Sequence, residues 1–123
     1  KKAIAHLNCN KVVLFAGGTG NPYFTTDTCA SLRALEINAD AILMAKNNVD
    51  GVYDSDPKLN KNAKFLKTLT FKEVIDRNLA VMDQTSITML MGQNITIRVF
   101  NMENAENFMK VIHGEDIGTT IKE

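Results

Sequence analysis

Apolar residues come along this chain in short blocks, and the spacing within each block predicts an element. Lys11-Val12-Val13-Leu14-Phe15-Ala16 is β-branched and aromatic without polar alternation, the pattern of a strand buried on both faces. The glycine-rich run Gly17-Gly18-Thr19-Gly20-Asn21-Pro22 stops it. Thr25-Thr26-Asp27 then offers N-cap oxygens, and Ala30, Leu32, Ala34, Leu35 and Ile37 make the apolar stripe of a helix ending near Asn38. Asp40 to Ala45 reads as a second buried strand. Strand, loop, helix and strand form a βαβ unit, whose parallel strands require a sheet covered by helices, so the fold class is α/β.

The second half changes pattern. Val49-Asp50-Gly51-Val52-Tyr53 carries a turn-type Asp-Gly pair between apolar residues and predicts a small hairpin or bulged strand. Asp54 to Asn62 has little to bury and predicts a surface loop. Thr70 and Glu73 have capping-box spacing for a short helix to about Arg77, and Asp83 caps a second helix carrying Ile87, Leu90 and Met91. Ile95 to Phe100 predicts a third strand, Glu103 to His113 a helix closed by Gly114, and Gly118 to Ile121 a terminal strand. Lys1 to Leu7 has the spacing of the last turns of an amphipathic helix, which suggests a fragment of a longer chain. No repeat or low-complexity segment interrupts residues 1–123, which predict a single domain.

Composition narrows the function classes. The 123 residues are 45% hydrophobic, and 14 basic side chains balance 14 acidic ones. Such a chain buries upwards of about 60% of its unfolded surface and needs no disulfide or metal staple. Zero net charge supplies no bulk attraction for nucleic acid or for an anionic membrane surface. No apolar run approaches the roughly 18 residues of a membrane span, and the first ten residues lack signal-peptide order. The expectation is a cytoplasmic protein with no nucleic-acid or membrane partner. Cys9 and Cys29 stand apart without a CxxC pairing and read as free thiols, and no metal-ligand set is assigned.

Chemistry concentrates in two kinds of residue. Glycines between a strand and a helix N-terminus let the backbone approach a ligand, while the unpaired N–H groups and dipole of the helix favour an anion such as phosphate. The same glycines also serve a plain tight βα turn. Gly18-Thr19-Gly20 lacks the third glycine of GxGxxG, and no Gly-Lys-Ser/Thr triplet follows, so neither a Rossmann nor a P-loop motif is present. Asp27, Asp40, Asp50, Asp54, Asp56 and Asp83 all fall at strand ends, helix starts or loops, where several could converge on one sheet edge. An aspartate at a helix start also serves simply as a cap, which leaves Asp27 and Asp83 open. Tyr23-Phe24, in a polar loop, offers either a stacking surface for a base or packing over the sheet end. His6 and His113 lack a nearby ligand set, and Met44, Met89, Met91 and Met109, with Phe65, Phe71, Phe100 and Phe108, read as core.

Taken in order, Gly17 to Asp27 (a GTGNPxFTTD block), Leu32-Arg33-Ala34, Ala39-Asp40, Lys46 to Tyr53 with Asp56-Pro57, Val81-Met82-Asp83 and Ile97 to Asn101 resemble the bacterial uridylate (UMP) kinases of the amino-acid kinase superfamily. The Ala45 to Gly51 version of the middle block is similar to that of low-GC Gram-positive and mollicute members. The resemblance implies a three-layer α/β/α sandwich with a mostly parallel sheet, of the carbamate kinase-like type, and transfer of phosphate from ATP to UMP with Mg²⁺. It implies that Thr19, Gly20, Asn21, Pro22, Tyr23, Phe24, Thr25 and Thr26 line the UMP site. Asn47, Tyr53 and Asp56 would contact ATP, and Asp27 would be the aspartate that orders the catalytic lysines.

The family is about twice this long. Its lysine-bearing first strand, its GGGN-type loop and the Arg and Asp that help bind UMP do not occur here. The chain is therefore expected to be the C-terminal, ATP-binding half, inactive by itself for want of cations. Family members form homohexamers, activated by GTP and inhibited by UTP. The alternatives are another superfamily enzyme of the aspartate or glutamate kinase type, and a non-catalytic nucleotide sensor. The loop from Asn21 to Thr26 favours UMP.

Overall fold

Where the periodicity is long and capped, the elements form as the pattern requires. The computed structural model describes residues 1–123, with α1 Lys2–Asn8, α2 Thr26–Glu36, β1 Ala41–Lys46, β2 Val52–Tyr53, β3 Phe65–Leu66, β4 Thr68–Thr70, α3 Phe71–Asp76, α4 Gln84–Leu90, β5 Thr96–Asn101, α5 Glu106–Ile112 and β6 Thr119–Lys122. Three helix starts are fixed by side chains. Thr25 caps α2 reciprocally with Thr28, Thr70 caps α3 with Glu73, and Asp83 caps α4 by accepting the Ser86 N–H. Each satisfies amide donors that the first helical turn leaves without partners.

The main sheet has strand order β1-β5-β6-β4. β1 and β5 run parallel with Ala41 opposite Thr96 and Lys46 opposite Asn101; β4 and β6 are parallel, and β5 and β6 antiparallel. Alternation along β5 builds two layers of side chains. Ile97 and Val99 join Ala34, Leu69, Phe71, Ile87, Leu90 and Ile121 in the buried cluster under α2, α3 and α4. Arg98 and Phe100 serve the other face, where Phe100 meets Phe108 of α5 with ring centroids 6.5 Å apart. The Arg98 guanidinium there donates to the carbonyls of Glu115 and Ile117, both at 2.9 Å. Helices thus cover both faces of a mostly parallel sheet, the three-layer α/β/α arrangement.

Three sequence expectations fail, the first being a second buried strand at Asp40 to Ala45: β1 lies at the sheet edge with exposed and half-buried residues alternating, Leu43 among the exposed ones, because only β5 pairs with it. Lys11 to Ala16 forms no ladder, and Val12 and Leu14 are 91% and 90% exposed. Apolar β-branched composition suits a buried strand, but a strand also needs a neighbour's N–H and C=O groups, and none lines up beside it. Phe15 instead lies under the Arg33 guanidinium, 5.9 Å from its ring centre. The parallel pair predicted for this chain is made by β1 with β5. The hairpin turn is also not at Asp50-Gly51, because β2 pairs with β3 and the reversal runs through residues 54–64. Gly51 serves close approach: a Cβ there would lie 2.5 Å from Thr119 Oγ1 and 2.8 Å from the Phe65 ring.

Other differences are smaller. β3 and β4 are too short to show a period in the sequence. Phe71 and Phe100 are buried as expected, whereas Phe65, Phe108, Met91 and Met109 are partly exposed. α1 forms where the pattern puts it but buries no residue. No helix is long and apolar enough to cross a membrane.

Candidate functional site

α2 leads into β1 and runs antiparallel to it, so its N-terminus lies at the carboxyl edge of the sheet, the side on which open α/β sheets hold ligands. The glycine-rich loop arrives there. Gly17, Gly18 and Gly20 have φ of 86°, 66° and 76°, and a Cβ on any of them would meet nothing within 4 Å. Backbone conformation, not crowding, therefore requires glycine in this loop. The Thr19 hydroxyl accepts the Asn21 N–H at 3.1 Å, and Asn21 Nδ2 donates to the Thr19 carbonyl at 3.4 Å, closing the turn on itself. Tyr23 has φ of 69° and is fully exposed, with Phe24 half-exposed beside it.

The loop gains a firm anchor at Thr25. Its hydroxyl donates to Asp83 Oδ2, which also accepts the Thr28 hydroxyl at 3.2 Å. Asp83 Oδ1 accepts the Ser86 N–H at 2.8 Å and the Ser86 hydroxyl at 2.9 Å. Ser86 and Thr28 are buried. Asp83 is thus both the cap of α4 and the clasp that fixes the start of α2 against it. Burial pushes its carboxyl up, but the hydrogen bonds from Thr25, the Ser86 amide and hydroxyl and Thr28 together outweigh that and hold it below the ordinary carboxylate value. Thr26 and Asp27 follow in the first turn of α2. Asp27 is half-buried and none of the chain's three ion pairs includes it. The helix N-terminus favours its negative charge there.

A pocket of about 400 Å³ opens on the same edge, walled by Val49, Gly51, Tyr53, residues 54–58 and Asn78-Leu79-Ala80. Tyr53 and Asp56 line it, while Asn47 lies just beyond the end of β1 outside the wall. The Tyr53 ring meets Phe65 edge-on, with centroids 5.4 Å apart. Asp56 Oδ1 accepts the Lys58 N–H at 2.8 Å, and Asp54 Oδ1 accepts the Lys64 N–H at 2.8 Å. The amide of Lys64, with the Ser55 hydroxyl and nearby positive charge, holds the Asp54 carboxyl below its ordinary value against the opposing effect of burial. Thr119 ties this wall to the sheet: its buried hydroxyl accepts the Val52 N–H at 2.9 Å and donates to the Leu66 carbonyl at 2.6 Å.

The remaining candidates divide between the two edges. Asp50 Oδ1 accepts from Asn101 Nδ2 at 3.2 Å, placing both at the carboxyl end of β5. Asp40 sits at the opposite end, where its carbonyl accepts the Thr96 N–H, so it is not among the convergent aspartates. No group of three or more His, Cys, Asp or Glu residues is arranged to hold a metal ion. Sequence reasoning missed Asn78-Leu79-Ala80, which run directly into the Val81-Met82-Asp83 block, and gave no role to Lys46, which opens the Lys46 to Tyr53 block. The Lys46 Nζ donates to the Val81 carbonyl at 3.1 Å.

A loop on a helix N-terminus beside a pocket, both at the carboxyl edge of an α/β/α sandwich, is the placement at which open α/β folds hold their ligands. The amino acid kinase family model matches residues 1–101, and the chain belongs to that family. It is 53% identical over 122 residues to the uridylate kinase of Limosilactobacillus reuteri (strain DSM 20016), covering 99% of this chain and 51% of that protein. It is 50% identical over 121 residues to the uridylate kinase of Rubrobacter xylanophilus (strain DSM 9941 / JCM 11954 / NBRC 16129 / PRD-1), covering 98% and 48%. The crystal structure of UMP kinase from Bacillus anthracis superimposes with a TM-score of 0.94 at 42% identity, over 98% of this chain and 49% of that one. That of UMP kinase from Ureaplasma parvum gives 0.90 at 40%, over 99% and 52%. The resemblance to bacterial uridylate kinases is borne out, and the chain spans about half the length of the relatives it matches.

Proposed function

We propose that this chain is one structural unit of an ATP-dependent UMP kinase, supplying the ATP pocket and part of the UMP site. The observation that carries this reading is the joint placement of the Thr25-capped loop and the 400 Å³ pocket on one sheet edge, linked by the segment from Asn78 to Asp83. In it, ATP occupies the pocket against Tyr53 and Asp56, with Asn47 at its rim. The turn of Thr19, Gly20 and Asn21 meets the uridine, with Pro22, Tyr23, Phe24 and Thr25 shaping the loop. Thr26 lies close to the acceptor phosphate. Asp27 pairs with cations contributed by the rest of the full-length protein and orients them, without acting as nucleophile.

Phosphoryl transfer asks mainly for in-line positioning and for neutralisation of charge on the moving group. Most of that neutralisation is expected from cations of the rest of the full-length protein, so these residues alone are expected not to turn over. Mg²⁺ suits a site without a carboxylate cluster if the nucleotide phosphates hold it, since this ion typically keeps few protein ligands. The full-length protein would work in the cytoplasm as a homohexamer responding to GTP and UTP.

The test is ADP release by the full-length protein over a panel of UMP, CMP, aspartate and glutamate, with Asp27→Asn alongside. Transfer to UMP is expected, falling about 100- to 1,000-fold in the variant, the scale of losing a preorganised electrostatic group. Preference for an amino acid would instead indicate an aspartate or glutamate kinase, ATP binding without transfer would indicate a sensor, and unchanged turnover would remove Asp27 from the mechanism.

A further inference from the structure

Lys46 is a cation without a counter-charge. It ends β1 at the carboxyl edge, half-buried, and its Nζ donates to the Val81 carbonyl at 3.1 Å. None of the chain's three ion pairs includes it. An ammonium group has three N–H donors, so the single carbonyl leaves donors free for an anion. An anion arriving there would accept a charge-assisted hydrogen bond from those free donors.

Its position says which anion. Val81 follows Ala80, which walls the pocket, and precedes Met82-Asp83, whose carboxylate binds Thr25 at the start of α2. Three residues of extended chain reach at most about 11 Å. The Lys46 ammonium is therefore held at the middle of the short span joining the pocket to the first turn of α2. Its own strand continues through Asn47 to Val49, which walls the pocket. Lys58 also lines the pocket, but it belongs to the exposed 54–64 loop and makes no bond to the 78–83 segment.

Resting on the reading of this edge as a UMP kinase site, we propose that Lys46 is a catalytic residue whose ammonium binds the phosphoryl group in transit from the pocket to the α2 N-terminus. In that step an oxygen of the acceptor phosphate forms a bond to the γ-phosphorus. The bond from γ-phosphorus to the β-bridging oxygen breaks, and its electron pair leaves on ADP. Total charge is conserved, and Lys46 neither gives nor takes a proton. Negative charge on the moving group and the leaving oxygen is redistributed during transfer, so a fixed cation between the two sites stabilises the transition state more than either bound nucleotide.

The experiment compares full-length wild type with Lys46→Met, which keeps the aliphatic stem, and Lys46→Arg, which keeps the charge. Turnover with UMP is followed by ADP release, ATP and UMP affinities by calorimetry, and folding by thermal melting. Lys46→Met is expected to lose about 100-fold in kcat, with both dissociation constants within about threefold of wild type and the melting temperature unchanged. Lys46→Arg is expected to recover about a tenth or more of the activity. Two results overturn the proposal while leaving the functional reading intact. One is a Lys46→Met enzyme with wild-type kcat; the other is a loss that tracks a lowered melting temperature and that arginine does not rescue, the mark of a brace for the 78–83 segment. A wild type that binds ATP but transfers nothing to UMP overturns both.

Discussion

The loop from Gly17 to Phe24 and the pocket wall from Val49 to Lys58 occupy the same edge of the sheet and are held in opposite ways. The loop is shaped locally, by positive-φ glycines and by bonds between Thr19 and Asn21, and it meets the rest of the protein at its far end through Thr25 and Asp83. The wall is held from outside itself, by Thr119 from β6, by the Asp54 bond to Lys64 and by the Tyr53 contact with Phe65. A preformed wall binds without much ordering, whereas a loop with one anchor leaves more ordering to be completed when a ligand arrives. In the functional reading, the donor pocket is ready-made and the acceptor site is completed by its substrate.

The sharpest way to break that contrast is to remove the loop's anchor. Asp83→Ala strips the acceptor from the Ser86 amide and from the buried Ser86 and Thr28 hydroxyls, and is expected to cost about 2–3 kcal/mol of stability. In the full-length protein the KM for UMP should rise about tenfold or more while that for ATP stays nearly level. A parallel rise in both would show that the clasp serves folding alone. Proton linkage gives a second readout. The folded-state pKa of Asp83 lies below the ordinary 3.8, so its stabilisation is complete above that value and is lost as pH falls through the lowered one. Asp54 and Glu73 are also lowered but remain in the variant. The gap in melting temperature between wild type and Asp83→Ala should therefore narrow as pH drops below about 4, and a gap independent of pH would contradict the assignment.

Loosening the wall should have a smaller and complementary effect. Thr119→Val keeps the shape but leaves the Val52 N–H and the Leu66 carbonyl unpaired, costing about 2 kcal/mol. The ATP KM is expected to rise about fivefold with UMP little changed, and Thr119→Ser to restore most of it by returning the hydroxyl. An effect on UMP equal to that on ATP would mean that the two regions are not separately held.

The same contrast explains what could be read from the sequence. α2, α3, α4, β1 and β5 follow from apolar period and from caps at Thr25, Thr70 and Asp83, because those signals lie within a few residues of the element they set. The glycine loop was legible for the same reason. What failed depends on distant partners. Lys11 to Ala16 carries strand composition without a neighbouring strand to complete it, and Gly51 mimics a turn glycine while answering to Thr119 and Phe65 far along the chain. Asp83 was legible as a cap but not as a clasp, since its second role needs Thr25 and Thr28 brought across the fold. The Asn78 to Ala80 wall was silent because it stands in no recognisable local pattern, and Lys46, though it opens a recognised block, shows its role only through the Val81 carbonyl far along the chain.

The finest distinction concerns Tyr23. An aromatic residue at φ of 69° pays about 1 kcal/mol in backbone strain, and its fully exposed ring has no packing to lose. Tyr23→Gly relieves that strain but gives the unfolded chain more freedom, worth about 0.4–1 kcal/mol in the opposite direction. The two nearly cancel, so the melting temperature should barely move. If the ring stacks on the base as well as shaping the loop, the KM for UMP should rise about three- to tenfold, in keeping with the roughly 1 kcal/mol of an aromatic contact. A residue kept only for loop shape would leave KM alone, since glycine adopts the same φ more easily. Unchanged stability with weakened UMP binding would show that the strained ring is held for its ligand, and that the loop, unlike the wall, is completed by what it binds.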